Sequence, residues 1–162
     1  MIAKGFMGFR IDDRMLHGIV ATSWVPHFQA TRAMVIDDAA STNEIMRQSM
    51  KMACPAGVAL SVISVEKAVA NITADKYAAQ RVFCVFRTVD TAYALFKAGI
   101  EMPEINLGNI TQNLGETTVL GKTVRINEDE KAKLREMRDA GVHIIVQFRT
   151  DDTAEDVSSL LD

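Results

Sequence analysis

The sequence predicts an α/β fold: three layers, an open and mostly parallel sheet with helices on both faces, and a short antiparallel hairpin near the C-terminal third. Three observations lead there. Short apolar runs such as Val82-Phe83-Cys84-Val85-Phe86 are nearly continuous, as strands buried on both faces are. They alternate with segments of helical apolar spacing over short links. After Asn109 that rhythm breaks into glycine-punctuated, β-branched sequence.

In order, residues 6–11 read as the first strand, entering a charged turn from Asp12 to His17. Gly18 to about Phe28 reads as a helix with Pro26 near its end, and residues 31–36 as the second strand. Ser41 with Glu44 fits a capping box for the next helix, whose apolar spacing runs through Ile45, Met46, Ser49, Met50 and Ala53. Pro55 and Gly57 end it. Residues 58–63 form a third strand, and Ser64 caps a helix through Ile72. Residues 81–86 are the fourth strand, 88–97 a helix closed by Gly99, and 104–107 a short fifth strand. Residues 111–126 suit two short antiparallel strands. Asn127 opens a charged helix ending at Gly141, residues 142–148 form a final strand, and 151–161 a last helix. No linker or repeat interrupts the chain, so residues 1–162 are expected to form one domain.

Composition narrows the function classes. Eighteen basic against 21 acidic residues leave a net charge of −3, so no bulk field draws the chain to nucleic acid or an anionic membrane. No apolar run approaches the ~20 residues of a membrane span. Charges at Arg10, Asp12, Asp13 and Arg14 occupy the place of a signal peptide's apolar stretch. A cytoplasmic protein is expected, able to work beside a membrane through partners. Cys54 and Cys84 read as reduced, and the three histidines lack metal-ligand spacing.

In a parallel sheet every strand-to-helix turn opens on one rim, where ligands bind. That rim should gather His17, Asp37, Asp38, Arg87 and Asn109. His17 is the reactive candidate, because an imidazole works as base, ligand or nucleophile near neutrality. Arg14 offers a fixed fork of donors to an anion, and the turn amides and the following helix start add more. Gly18 leaves room for an anion to approach. Asp12 and Asp13 could hold the imidazole or orient Arg14, or merely cap the turn. Arg10, in an apolar strand, reads as structural, reaching the rim or pairing with an Asp. Asp37 and Asp38 could touch a sugar hydroxyl, or simply favour a helix start. His27 and His143 read as surface and structural residues.

The segment Gly115-Glu-Thr-Thr-Val-Leu-Gly121-Lys122-Thr123 imitates a phosphate-binding loop. It has one residue too many between its glycines, and a β-branched stretch follows in place of a helix. It reads as a hairpin. No GxGxxG supports a dinucleotide.

The stretch Arg10-Ile-Asp12-Asp13-Arg14-Met-Leu-His17-Gly18 resembles the active-site turn of IIB components of the mannose/fructose/sorbose family of the bacterial phosphotransferase system. The likeness continues through Trp24-Val25, Val35-Ile-Asp37-Asp38, Ser64-Val-Glu66-Lys-Ala68 and Ile105-Asn-Leu-Gly108-Asn109. The resemblance implies a protein-N(pi)-phosphohistidine–sugar phosphotransferase component. His17 would take a phosphoryl group on Nδ1 from a IIA phosphohistidine and pass it to a sugar presented by the membrane IIC and IID components. Arg14 matches an arginine that contacts the phosphoryl group, and Asp12 an acid of the same loop. No metal, cofactor or nucleic acid is implied; sugar and oligomeric state stay open. Two departures stand out. Ile19 replaces the usual Gln after His-Gly, and Phe148-Arg149-Thr150 stands where members commonly carry Val-Pro, which is expected to alter a rim or docking contact. Ile19 keeps alive a non-catalytic relative that only docks partners. A hydrolase using His17 with Asp12 or Asp13 is a third reading, favoured by no Ser or Cys nucleophile motif.

Overall fold

The computed structural model describes residues 1–162. Its strands are β1 (Phe6–Asp12), β2 (Arg32–Ile36), β3 (Ala59–Ile63), β4 (Val82–Phe86), β5 (Glu104–Asn109), β6 (Thr118–Gly121), β7 (Val124–Ile126), β8 (His143–Val146) and β9 (Glu155–Asp156). Seven form one sheet in the order β3-β2-β4-β1-β5-β8-β9, parallel except for β9. β6 and β7 form a separate antiparallel pair, as the sequence rhythm implies. The helices are α1 (Val25–His27), α2 (Asp38–Ser41), α3 (Glu44–Ala53), α4 (Val65–Thr73), α5 (Val89–Lys97) and α6 (Glu128–Asp139). None is long and apolar enough to cross a membrane.

Period-two alternation divides each central strand between two cores. Met34, Ile36, Val82, Cys84 and Phe86 face one core, with Ile72 of α4, Leu95 of α5 and Met137 of α6. Ala33, Val35, Phe83 and Val85 face the other, with Val20, Trp24 and Met50. Helices therefore cover both faces. Moves toward β3 cross one face and moves toward β8 cross the other, as a single crossover hand requires. The chain leaving β1 goes to one face, whereas the chains leaving its neighbours β4 and β5 go to the other. The carboxyl end of β1 thus lies at the switch point of the sheet, where a crevice opens.

Several local expectations are corrected. Ser41 does not cap the long helix. Asp37 accepts from the Ala40 amide and starts the separate turn α2, which Ser41 ends. Asn43 then caps α3 by accepting from the Met46 amide at 3.0 Å. Ile45 is 85% exposed, so the buried stripe of α3 runs through Met46, Met50 and Ala53. The helix after Gly18 is a π-helical turn, Val20–Trp24, continuing into the three residues of α1. Pro26, with no amide hydrogen, cannot extend a regular ladder there. The last segment is not a helix. Glu155 and Asp156 pair with Val146 and Ile145 as β9, and Val157 and Leu161 drop into the core around a 3-10 turn, Ser158–Leu161. Val157 and Leu161 are spaced as on a helix face, but the pairing of Glu155 and Asp156 with β8 holds the segment before them extended.

Candidate functional site

β1 carries a polar face beneath the crevice. Phe9 and Ile11 face one core, so Arg10 and Asp12 point to the opposite face. Both are essentially inaccessible, at 1% and 0% exposure. Arg10 lies over the Trp24 ring, 4.9 Å from its centroid. It donates to Asp12 Oδ2 at 3.1 Å and to the carbonyls of Gln147 and Phe148 at 2.8 and 3.1 Å. Of the two expected roles, pairing holds and rim exposure does not. Gly108 makes the space: a β-carbon there would strike the Arg10 guanidinium. Burial pulls the Arg10 pKa down, opposed by the attraction of Asp12. An arginine still stays charged in this setting.

Asp12 is the hub. Its Oδ1 accepts from the Arg14 amide at 3.0 Å and from Arg14 Nε at 2.9 Å, while Oδ2 accepts from Arg14 Nη2 at 2.7 Å. This bidentate grip, chiefly through the hydrogen bonds, pushes the Arg14 pKa up. Three N–H bonds of the Arg14 guanidinium keep no partner in the chain. They sit at a side chain 32% exposed, packed 5.0 Å from the Phe148 ring centroid.

Asp13 turns the other way. It accepts from the Asn109 amide group, and from the amide and hydroxyl of Thr111 at 2.9 and 3.0 Å. Its own amide donates to Asn109 O at 2.9 Å, so the turn after β1 is bolted to the end of β5.

Met15 then adopts φ 58° and Gly18 φ 55°. The left-handed Met15 is a strained position for a side chain. It is held by its amide bond to Asp12 O at 3.0 Å and by burial of the side chain. Between and beside these two bends, the amides of Leu16, His17, Gly18 and Ile19 meet no acceptor in the chain. Consecutive free amides in such a bend make an anion-binding concavity.

His17 stands on this turn, partly exposed. The polar side-chain atom within reach of its ring is Ser49 Oγ on α3, 3.4 Å from Nε2. Nδ1 has no partner in the chain. The sequence marks Ser49 only as part of the helical spacing of α3, and nothing local makes it a neighbour of residue 17.

The other rim candidates are occupied internally. Asp37 accepts from the Ala40 amide and lies 3.4 Å from Arg87 Nη1. Asp38 accepts from the Val65 amide at 2.9 Å, at the start of α4. They lie at the carboxyl end of β2, on the expected rim, but tie loops together there. Thr123, from the imitation phosphate loop, donates its hydroxyl to Gly108 O at 2.7 Å, and Lys122 and Thr123 form the turn between β6 and β7. His27 packs edge-on against Trp24 and Phe28. His143 bridges Glu104 and Asp156, each at 3.0 Å. No group of three or more His, Cys, Asp or Glu is placed to hold a metal ion.

The chain is similar to known proteins along nearly its whole length. A family profile described as PTS system sorbose subfamily IIB component matches residues 7–162. The sorbose-specific EIIB component of Lacticaseibacillus casei is 29% identical over 153 residues, covering 94% of this chain and 93% of that protein. The N-acetylgalactosamine-specific IIB component 1 of Escherichia coli K12 is 26% identical over 158 residues, covering 97% and 99%. The mannose-specific EIIAB component of the same organism is 27% identical over 138 residues, 85% of this chain but 42% of that longer protein. Among solved structures, the IIBSor domain of the sorbose permease from Klebsiella pneumoniae superimposes with a TM-score of 0.89 at 26% identity, covering 96% and 95% of the two chains. The manxB structure from Thermoanaerobacter tengcongensis gives 0.88 at 26% identity, covering 98% and 96%. The chain belongs to the sorbose subfamily of phosphotransferase-system IIB components.

Proposed function

We propose that residues 1–162 act as one phosphocarrier domain in which His17 receives a phosphoryl group from a IIA phosphohistidine and hands it to a sugar during uptake. The observation that carries this is that His17 stands on a turn whose amides at residues 16–19 have no acceptor in the chain, three positions after an arginine that keeps three free N–H bonds. A phosphoryl group needs donors for its three outer oxygens, and catalysis of its transfer is mostly positioning and charge neutralisation.

The geometry supports a division of labour. A proton on Nε2 directed at Ser49 Oγ leaves the lone pair on Nδ1, the free nitrogen. Nδ1 attacks phosphorus, the P–N bond to the donor imidazole breaks, and its electron pair returns to the donor nitrogen. The amides of residues 16–19 and the spare edge of Arg14 take the oxygens. Ile19 contributes its amide, so the loss of a side-chain amide at that position leaves the cradle intact. In the second transfer a sugar hydroxyl oxygen attacks phosphorus, the P–Nδ1 bond breaks with its electron pair returning to Nδ1, and the hydroxyl proton leaves to solvent. Asp12 acts through Arg14, and Asp13 with Asn109 through the shape of the turn. The IIA and membrane IIC and IID components are the partners of this reading, which places the protein at the inner face of the membrane. The fused EIIAB relative supports the IIA partnership.

Incubation with phosphoenolpyruvate, the general phosphotransferase proteins and a matched IIA tests it. Acid-labile label is expected on the chain, lost in a folded His17→Ala variant. An unlabelled parent chain in the presence of a competent IIA would favour the non-catalytic docking protein instead.

A further inference from the structure

Phe148 lies 131 positions beyond His17 in sequence and belongs to the departure from the family pattern, yet it touches three parts of the site. Its carbonyl accepts from Arg10 Nη2 at 3.1 Å and from Trp24 Nε1 at 3.0 Å. Its ring lies 5.0 Å from the Arg14 guanidinium carbon. Backbone and ring therefore have separate tasks. The carbonyl is fixed by β1 and by the π-helical turn, whatever the side chain is. The ring packs against Arg14, whose partly exposed guanidinium keeps three N–H bonds without a partner in the chain.

Arg14 needs such a surface. Asp12 grips the Nε–Nη2 edge within the guanidinium plane. An in-plane grip alone lets the group rock about the line joining the two carboxylate oxygens. The Phe148 ring, with the guanidinium carbon 5.0 Å above it, limits that freedom, since planar guanidinium packs on aromatic surfaces. Edge and face together determine where the three spare N–H bonds point.

We propose that Phe148 is a positioning residue for phosphoryl transfer: its ring fixes the plane of Arg14 so that the spare guanidinium edge meets the phosphoryl group at His17. This rests on the carrier reading of His17. Asp12 then sets the reach of Arg14 and Phe148 sets its tilt. A short aliphatic side chain at this position would fill part of the volume without an electron-rich face.

Phe148→Leu and Phe148→Trp separate the ring from its bulk. Both keep the carbonyl, so both are expected to fold, read from the amide NMR spectrum. With phosphorylated IIA as donor, Phe148→Leu should lower the saturating rate of label transfer to His17 about threefold to tenfold. The half-saturating IIA concentration should stay put, and Phe148→Trp should restore the rate. The Arg14 Nε–H resonance, displaced by the ring current of Phe148, should move in Phe148→Leu. Equal rates for parent and Phe148→Leu overturn the proposal, as does a Phe148→Trp variant as slow as Phe148→Leu. Should the parent chain take no label, the carrier reading falls, and the catalytic role of Phe148 falls with it. An unmoved Arg14 resonance in Phe148→Leu overturns the stacking itself, whatever the label shows.

Discussion

Asp12 holds Arg14 with both carboxylate oxygens, at 2.9 Å to Nε and 2.7 Å to Nη2, from a fully buried position at the end of β1. The same carboxylate meets Arg10 Nε at 3.1 Å, and Arg10 is buried as well. One acid thus serves two guanidiniums, one sealed in the protein and one partly exposed at its surface. The trio keeps one net positive charge, which suits a site built for an oxyanion.

Removing that acid should be costly. Asp12→Asn keeps the shape but leaves the buried Arg10 without its counter-charge. A loss of about 3–5 kcal/mol is expected, the usual penalty for orphaning a buried charge. Urea unfolding measures it. A loss below about 1 kcal/mol would mean that the two carbonyls alone satisfy Arg10.

Two glycines of the site should respond differently to Ala. At Gly108 a β-carbon collides with the Arg10 guanidinium, itself pinned by Asp12 and two carbonyls. The expected cost is about 3 kcal/mol, the upper end for overpacking. At Gly18 no atom lies within 4 Å of the added carbon, so only the left-handed backbone at φ 55° is penalised. That cost should be about 1 kcal/mol. Denaturant midpoints for the two variants, found in the reverse order, would contradict the packing described around Arg10.

Ser49→Ala should leave the fold intact, because Ser49 is exposed on α3. It removes the group facing Nε2 of His17, 3.4 Å away. Label transfer should slow about threefold to tenfold, the worth of one ordinary hydrogen bond. Nitrogen-15 spectra of His17 should show a larger share of the Nδ1–H tautomer. An unchanged tautomer ratio would remove Ser49 from the mechanism.

The strap formed by β9 should loosen with pH at both ends of its range. Desolvation lowers the His143 pKa, but the hydrogen bonds to Asp156 and Glu104 outweigh it and the net direction is up. Folding therefore favours the protonated ring. This contribution is complete below about pH 6.5 and is lost as pH rises through the folded value. Asp156 is shifted down, first by the Ser158 backbone amide. Its contribution is complete above about pH 3.9 and is lost as pH falls through the folded value. Amide exchange at Val157, whose N–H bonds Ile144 O, should quicken between pH 6 and 8 beyond its intrinsic rise. His143→Gln should abolish that excess.

Residues 6–149 show how far local pattern reaches. Continuous apolar strands and helical spacing are short-range signals, so the alternating elements and the β6–β7 hairpin were readable directly. The last eleven or so residues were not. Their helix-like spacing competes with pairing to β8, a decision made by Val157 and Leu161 finding the core. The same holds for capping: Ser41 and Asn43 both suit a cap, and only the extra turn α2 selects Asn43.

For the site, sequence alone determined what lies within one turn of chain: His17, Arg14, Asp12 and Gly18 are neighbours because they are covalently close. The tertiary structure decided everything that depends on packing across the sheet. It buried Asp12 between two arginines and drew Asp13 onto Asn109 and Thr111. It brought Ser49 to His17 from 32 positions away, and it laid Phe148 on Arg14. The physical reason is register. Strand order and the pleat set which side chains share a face, and long-range pairing that no local spacing encodes sets that order.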